Sequence, residues 1–246
     1  MTDTAQQQLM AEILDLFAQR FDKHAVLRGG MVLRILGCER LTNDLDYVFV
    51  PYASKKDIVD EALTALKSLD GVELRHTLNS KCLRIVVKRG NVSVQVEAKT
   101  AMQVVTDTLS TAPVTKSFDL PPRLIRVVNY SCALADKLAA WNERRLARDL
   151  YDVWFFLRMG VLPDQETLTQ RLRKPVYSKL VKEKDRFSGD SIDAFYDFLI
   201  AHVKTWSDDQ VAAELEDYLP QSELVGMSMR MRAELVKLQA KSGRAE

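Results

Sequence analysis

Cysteine and histidine are scarce in this chain, three of each in 246 residues. Cys38, Cys82 and Cys132 form no C-x-x-C pair, and His24, His76 and His202 are equally scattered. That excludes zinc sites built on closely spaced ligands and leaves the thiols as buried groups of a reducing compartment. Charge of one sign is also lacking: 35 Lys and Arg stand against 34 Asp and Glu, a net +1. A generally polybasic binder is excluded, so any contact with nucleic acid must use a local patch. No apolar run approaches the roughly 20 residues that span a bilayer. The polar stretch from Met1 to Gln8 lacks the cationic and apolar segments of a signal peptide. The expectation is a cytoplasmic protein with no membrane partner. Internal repeats and low-complexity tracts are absent as well. What remains is an ordinary globular composition, 47% apolar and 28% charged, long enough for one large domain or two small ones.

Periodicity divides the chain. Leu9, Ile13, Leu14, Phe17 and Phe21 recur at helical spacing. A short strand over Ala25 to Leu27 runs into Gly29-Gly30, and a helix from Met31 stops at Gly37. Asp44 to Val50 reads as a strand ended by Pro51, and Ser54 as the N-cap of a helix from Lys55 to Leu69. Leu83 to Val87 and Val92 to Ala98 read as a hairpin around Lys88-Arg89-Gly90-Asn91. Pro113, Pro121 and Pro122 predict an irregular connection or short edge strand with a domain boundary nearby. From Arg123 onward the pattern is helical: Ile125 to Arg144, Ala147 to Met159, segments after Asp164, Ser191 and Ser207, and Ser222 to Lys241 with a basic tail reaching Arg244. The predicted fold is α+β: an α/β-type core with a mixed β-sheet over residues 1–122, then an all-helical C-terminal domain over residues 123–246.

The chemistry concentrates between Leu27 and Val50. Glycine lets backbone approach a phosphate, and the start of the next helix offers free N–H groups. Gly29-Gly30 alone is weak evidence, because many tight turns use two glycines. Downstream, Arg40-Leu41-Thr42-Asn43-Asp44-Leu45-Asp46 brings two acids to a strand at i, i+2, pointing to one face. Neighbouring carboxylates repel, so a cation belongs with them. Mg²⁺ is the expected ion (Mn²⁺ would serve), and phosphoryl or nucleotidyl transfer the expected use. Glu97, flanked by small apolar residues on an alternating strand, is the candidate third acid, as metal ligand or general base. The competing reading of Glu97 is a salt bridge or an exposed face. Gln95 shares its strand face.

A second constellation is helical: Lys137 among apolar neighbours, then Arg144-Arg145-Leu146-Ala147-Arg148-Asp149-Leu150-Tyr151-Asp152. Asp149 and Asp152 share a face at i, i+3, and Arg148 and Asp152 stand at i, i+4. A lysine near a metal site neutralises triphosphate charge, and Asp149 or Asp152 would orient it, Asp149 serving an arginine as the alternative. A solvated helical hairpin with ordinary ion pairs fits the pattern equally well.

Together these residues resemble the nucleotidyltransferase toxins of the abortive-infection AbiEii/AbiGii family. That family has a Gly-Gly or Gly-Ser turn and an Arg-x-Ser/Thr-x-Asp-Leu-Asp segment, matched here by Gly29-Gly30 and Arg40 to Asp46. It also has a helical lysine and an Arg-Asp-x-x-Asp-Leu-like segment, matched by Lys137 and Arg148 to Val153. The first motif alone indicates only the broader polymerase-β-like superfamily. The resemblance implies Mg²⁺-dependent use of a nucleoside triphosphate, an RNA acceptor, tRNA in particular, and a cognate antitoxin. It implies that Asp44 and Asp46, with Glu97, hold metal. Gly29, Gly30, Thr42, Arg40, Lys137 and Arg148 would contact the nucleotide. The third acid departs from the pattern, being Glu rather than Asp, and residues 163–246 carry no family motif. Two other readings stand beside this one: transfer to a small-molecule or protein hydroxyl, and a non-catalytic nucleotide- or RNA-binding module.

Overall fold

The computed structural model describes residues 4–174 and 180–242. Arg244, the end of the expected basic tail, lies outside them. Packing divides the chain into two units, one reaching Asn129 and the other starting at Tyr130.

The first unit is a seven-stranded mixed sheet ordered β3-β4-β5-β2-β1-β7-β6. In chain order its elements are α1 (Thr4–Phe21), β1 (Ala25–Arg28), α2 (Gly30–Ile35), β2 (Asp44–Phe49), α3 (Lys56–Lys67), β3 (Glu73–Leu78), β4 (Leu83–Arg89), β5 (Val92–Thr100), β6 (Thr106–Ser110), α4 (Ala112–Thr115) and β7 (Leu124–Val128). β2 lies antiparallel to β1 and parallel to β5. β1 also pairs in parallel with β7. The alternation of β2 decides its faces: Leu45, Tyr47 and Phe49 are buried, while Asp44 and Asp46 take the opposite side. α1 covers the apolar face. Phe17 stacks 5.0 Å from Tyr47 and reaches Phe49. Leu9, Ile13, Leu14 and Phe17 are essentially inaccessible to water, each stabilising the fold by about 1.5–3 kcal/mol. α3 begins one residue later than expected, with Lys55 rather than Ser54 at the N-cap position; Ser54 Oγ still accepts from the Lys56 N–H, and Asp57 accepts from the Ser54 N–H.

Two expectations about strands are corrected. Glu73–Leu78 is a strand that the sequence reading does not contain. It lies at the sheet edge, exposed along most of its length, and so lacks the apolar alternation that betrays a strand. Leu124–Val128 is a strand rather than the start of a helix. It follows Pro121-Pro122, is rich in β-branched residues, and bonds to β6 and β1. Thr106–Ser110 resolves the alternatives of irregular connection or edge strand in favour of the edge. Cys38 and Cys82 are buried as expected, but Cys132 is half-buried.

The second unit is helical: α5 (Tyr130–Arg144), α6 (Ala147–Arg158), α7 (Gln165–Arg173), α8 (Ile192–Val203), α9 (Asp208–Leu215), α10 (Gln221–Leu224) and α11 (Met227–Ser242). Asp164, Ser191 and Ser207 each cap the helix that follows, and Ser207 forms a capping box with Gln210. The expected helix from Ser222 to Lys241 is broken at Gly226, whose φ of 65° ends α10 and starts α11. Between α5 and α6 the chain turns on Arg145. Its guanidinium lies 4.1 Å over Trp141 and 5.0 Å from Phe198 and donates to the Trp141, Asn142 and Asp185 carbonyls. Burial, then the charge of Arg186, pushes it down to about 10, against an opposing pull from Asp185. Buried Asn142 reads both backbone groups of Phe187. Among the described residues no helix is long and apolar enough to cross a membrane.

Candidate active site

The turn after β1 and the start of β2 meet tightly. Gly29 has φ 76° and ψ −152°, a backbone conformation that side chains avoid. A Cβ there would sit 2.3 Å from Asp46 Oδ2. A Cβ on Gly30 would sit 2.8 Å from both Arg40 Nη2 and Thr42 Oγ1. Both glycines are therefore required by close approach, and Gly29 by conformation as well. Of the sequence-predicted residues, Gly29 thus lies against Asp46, and Gly30 against Arg40 and Thr42. Arg40 is buried and donates to the Leu41 carbonyl at 3.2 Å. Thr42 Oγ1 lies 3.4 Å from the Asp44 carbonyl oxygen.

Register brings in the neighbouring strands. Asp46 stands opposite Arg28 on β1 and Glu97 on β5, and Asp44 opposite Gln95. Gln95 Nε2 donates to Asp44 Oδ1 at 3.3 Å and to Glu97 Oε1 at 3.2 Å, tying the two acids together. Glu97 Oε1 also accepts from Arg84 on β4, at 2.7 Å from Nη2 and 3.0 Å from Nε. Hydrogen bonding and the charge of Glu97 raise Arg84 above its ordinary pKa, so the pair holds as an ion pair. Glu97 thus shares the face of Asp44 and Asp46 and is also half of a salt bridge. Both sequence readings of it describe part of what it does. Arg84 was missed in the sequence. The signal lay in its alternation within Leu83–Arg89, which sets it on the Glu97 face once β4 and β5 pair.

Among the described residues, no three His, Cys, Asp or Glu side chains form a ready-made metal cage. The donors nevertheless suit Mg²⁺, a hard ion that usually takes one or two protein carboxylates and completes its shell with phosphate oxygens and water. Asp44 is exposed and Asp46 half-buried on one strand face. Gly29 leaves the space beside the Asp46 carboxylate clear of any Cβ.

In the helical unit Lys137 meets one of its two candidate carboxylates. Lys137 Nζ pairs with Asp152 Oδ2 at 2.6 Å, and the Asp152 side chain is 1% exposed. Asp149, equally buried, pairs with Arg144 through two bonds of 2.6 and 3.1 Å. Arg148 turns to Tyr218, donating to its hydroxyl at 3.3 Å. The Ala147 N–H at the start of α6 is capped by Glu214 of α9 at 2.8 Å. Asp149 thus holds an arginine rather than the lysine, and which arginine was not legible, because Arg144 and Asp149 are separated by the turn at Arg145.

A profile of the nucleotidyl transferase AbiEii toxin family, Type IV toxin–antitoxin system, matches residues 13–225. The match continues well past Pro163, where the recognisable motifs end. No curated protein matches the chain in sequence. Solved structures share its fold. A putative nucleotidyltransferase from Helicobacter pylori is 14% identical with a TM-score of 0.58, over 98% of this chain and 96% of the other. JHP933 from the same species is 13% identical with a TM-score of 0.54, over 97% and 94%. MenT4, a nucleotidyltransferase toxin from Mycobacterium tuberculosis H37Rv, is 16% identical with a TM-score of 0.52, over 95% and 92%. The chain belongs to the AbiEii nucleotidyl transferase toxin family, and membership of a toxin–antitoxin family implies a cognate antitoxin.

Proposed function

We propose that this member of the AbiEii family is a Mg²⁺-dependent toxin that transfers a nucleotide from a nucleoside triphosphate to RNA, tRNA being the expected acceptor, in the cytoplasm. One observation carries the reading: the Gly29-Gly30 turn lies directly against Asp46 on one side and Arg40 and Thr42 on the other, with Asp44 on the same strand face as Asp46. Asp44 and Asp46 would hold the metal, which would neutralise triphosphate charge and polarise the phosphate under attack. Gly29 and Gly30 let the backbone approach the phosphates, while Thr42 and Arg40 border the turn. The acceptor hydroxyl attacks the α-phosphorus, the new P–O bond forms, the bond to the β-phosphate oxygen breaks, and pyrophosphate leaves. Glu97, beside Asp46 in the sheet, is the group we assign to receive the hydroxyl proton, with Arg84 and Gln95 positioning it. Lys137 is assigned to phosphate by the motif it belongs to, and Asp152 fixes its side chain.

The test is incubation with each labelled nucleoside triphosphate, Mg²⁺, and RNA, protein and small-molecule acceptors. Label entering RNA, lost on chelation, supports the reading. Label entering only protein or a small molecule overturns the acceptor, and transfer that survives chelation overturns the metal.

A further inference from the structure

The sheet that carries Asp44 and Asp46 has a second polar region. Across β5, β4 and β3 the pairing aligns side chains in rows. Asp46 is followed by Glu97, Arg84 and Thr77, and Asp44 by Gln95, Val86 and Arg75. A third row holds Ser93, Lys88 and Glu73. On this side of β3, β4 and β5 every residue named is exposed or half-exposed. On the other side, Leu83, Ile85, Val87, Val94, Val96 and Ala98 are buried. An antiparallel sheet with one wet face is ordinary. The arrangement of charge on this one is not. Arg75, Arg84, Lys88 and Lys99 are spread over all three strands against two acids, Glu97 paired with Arg84 and Glu73 opposite Lys88 in register, so cations are in excess.

We infer that this open face is the landing surface for the phosphate backbone of the acceptor RNA, with Arg75 and Lys88 as its contacts farthest from the metal site. The inference rests on the nucleotidyltransferase reading above, because it takes the Asp44–Asp46 pair as the reacting end. Strands lie about 4.8 Å apart, so Arg84 stands roughly 10 Å and Arg75 roughly 14 Å from the β2 acids, the reach of a few nucleotides. The chain's net charge is only +1, so a polyanion must be drawn by a local patch. This patch is continuous with the site. Thr77, Ser93 and Gln95 add hydroxyl and amide groups that bond sugar and phosphate without reading bases. The rival is residues 182–186 of the helical unit, where exposed Lys182 and Lys184 alternate with Glu183 and Asp185.

The test uses the full chain and bulk tRNA, measuring binding without nucleotide across a salt series, and then transfer. The double variant Arg75→Gln, Lys88→Gln is expected to lose about tenfold in tRNA affinity. Its log–log salt slope should shrink by about 1.4, the share of two phosphate contacts to single-stranded RNA. KM for tRNA rises, while KM for the nucleotide and kcat at saturating tRNA stay as in the wild type. Arg75→Lys, Lys88→Arg keeps the charge and the binding. Lys182→Gln, Lys184→Gln changes nothing. Wild-type binding by the Arg75, Lys88 double variant overturns the proposal, as does loss of binding in the Lys182, Lys184 variant instead. If the wild type transfers no label to RNA, the acceptor reading fails. The binding series still decides whether this face holds RNA.

Discussion

Each unit holds a pair of aspartates, and the two pairs are treated in opposite ways. Asp149 and Asp152 have side chains 1% exposed, and each meets a cation at 2.6 Å, Arg144 and Lys137 respectively. Asp44 and Asp46 stand exposed and half-buried on a sheet face, in register with Gln95 and Glu97. Carboxylates buried in a low dielectric need a partner at once, so the helical pair is locked by the chain itself. Carboxylates left at the surface keep their hydration and can exchange water for a metal ion at small cost. On the proposed reading, the same residue type serves architecture in one unit and would serve ligand binding in the other.

Substitution at one aspartate of each pair separates the two roles. Asp46→Asn is expected to lower nucleotidyl transfer by about 10²–10³-fold or more, the scale of losing a group that stabilises transition-state charge. Its melting temperature should stay close to wild type. Asp152→Ala leaves Lys137 without its buried partner and should cost about 3–5 kcal/mol of stability. Initial rates and denaturant melts on both variants check this. A folded, fully active Asp46→Asn protein would sink the metal assignment. The comparison sharpens further with Lys137→Met, Asp152→Leu. Replacing a buried pair by apolar residues is commonly neutral or stabilising, so the double variant should melt near or above wild type. Its activity should stay low if Lys137 binds phosphate. Recovery of both stability and activity would assign the pair to architecture alone.

Gly29→Ala comes next in size. The new Cβ would meet the Asp46 carboxylate at 2.3 Å in a backbone with φ 76°. About 1–3 kcal/mol of strain is expected. The displaced carboxylate should weaken metal-dependent nucleotide binding more than it weakens the fold. Titration of nucleotide with and without Mg²⁺ reads the first effect and a denaturant melt the second. Loss of stability with unchanged nucleotide affinity would leave Gly29 a purely structural glycine.

Much of the sheet-borne site was legible because its signals are local. Gly29-Gly30 marks the turn, and the i, i+2 spacing of Asp44 and Asp46 sets them on one strand face whatever the tertiary arrangement. Arg84 was not legible, because its meeting with Glu97 depends on the register of β4 against β5. In the helical unit the residues were legible and their pairing was not. Spacing places Asp149 and Asp152 on one face, but which of them receives Lys137 is decided by how α5 turns against α6. The missed strand Glu73–Leu78 has water on both sides, so no hydrophobic period records it. Leu124–Val128 is too short and too apolar for periodicity to separate strand from helix, and only its pairing with β1 and β6 decides.

Asp164 supplies the smallest effect and a third way of holding a carboxylate. It is half-exposed at the start of α7, and its Oδ1 accepts the Thr167 N–H at 2.8 Å. The side-chain and backbone bonds of Thr167 hold its carboxyl below the usual carboxylate range, burial opposing them slightly. A depressed native pKa means that the unfolded chain takes up the proton first as pH falls. The stabilisation is therefore complete above the unfolded carboxylate pKa and is lost as pH drops through the native one. Asp164→Ala should cost about 1 kcal/mol near neutrality, the usual worth of such a cap. The gap between variant and wild type should close in acid. Melts of the two proteins from neutral to acid pH check this. A gap that does not depend on pH would assign the stabilisation to packing at the α7 start rather than to the ionised cap.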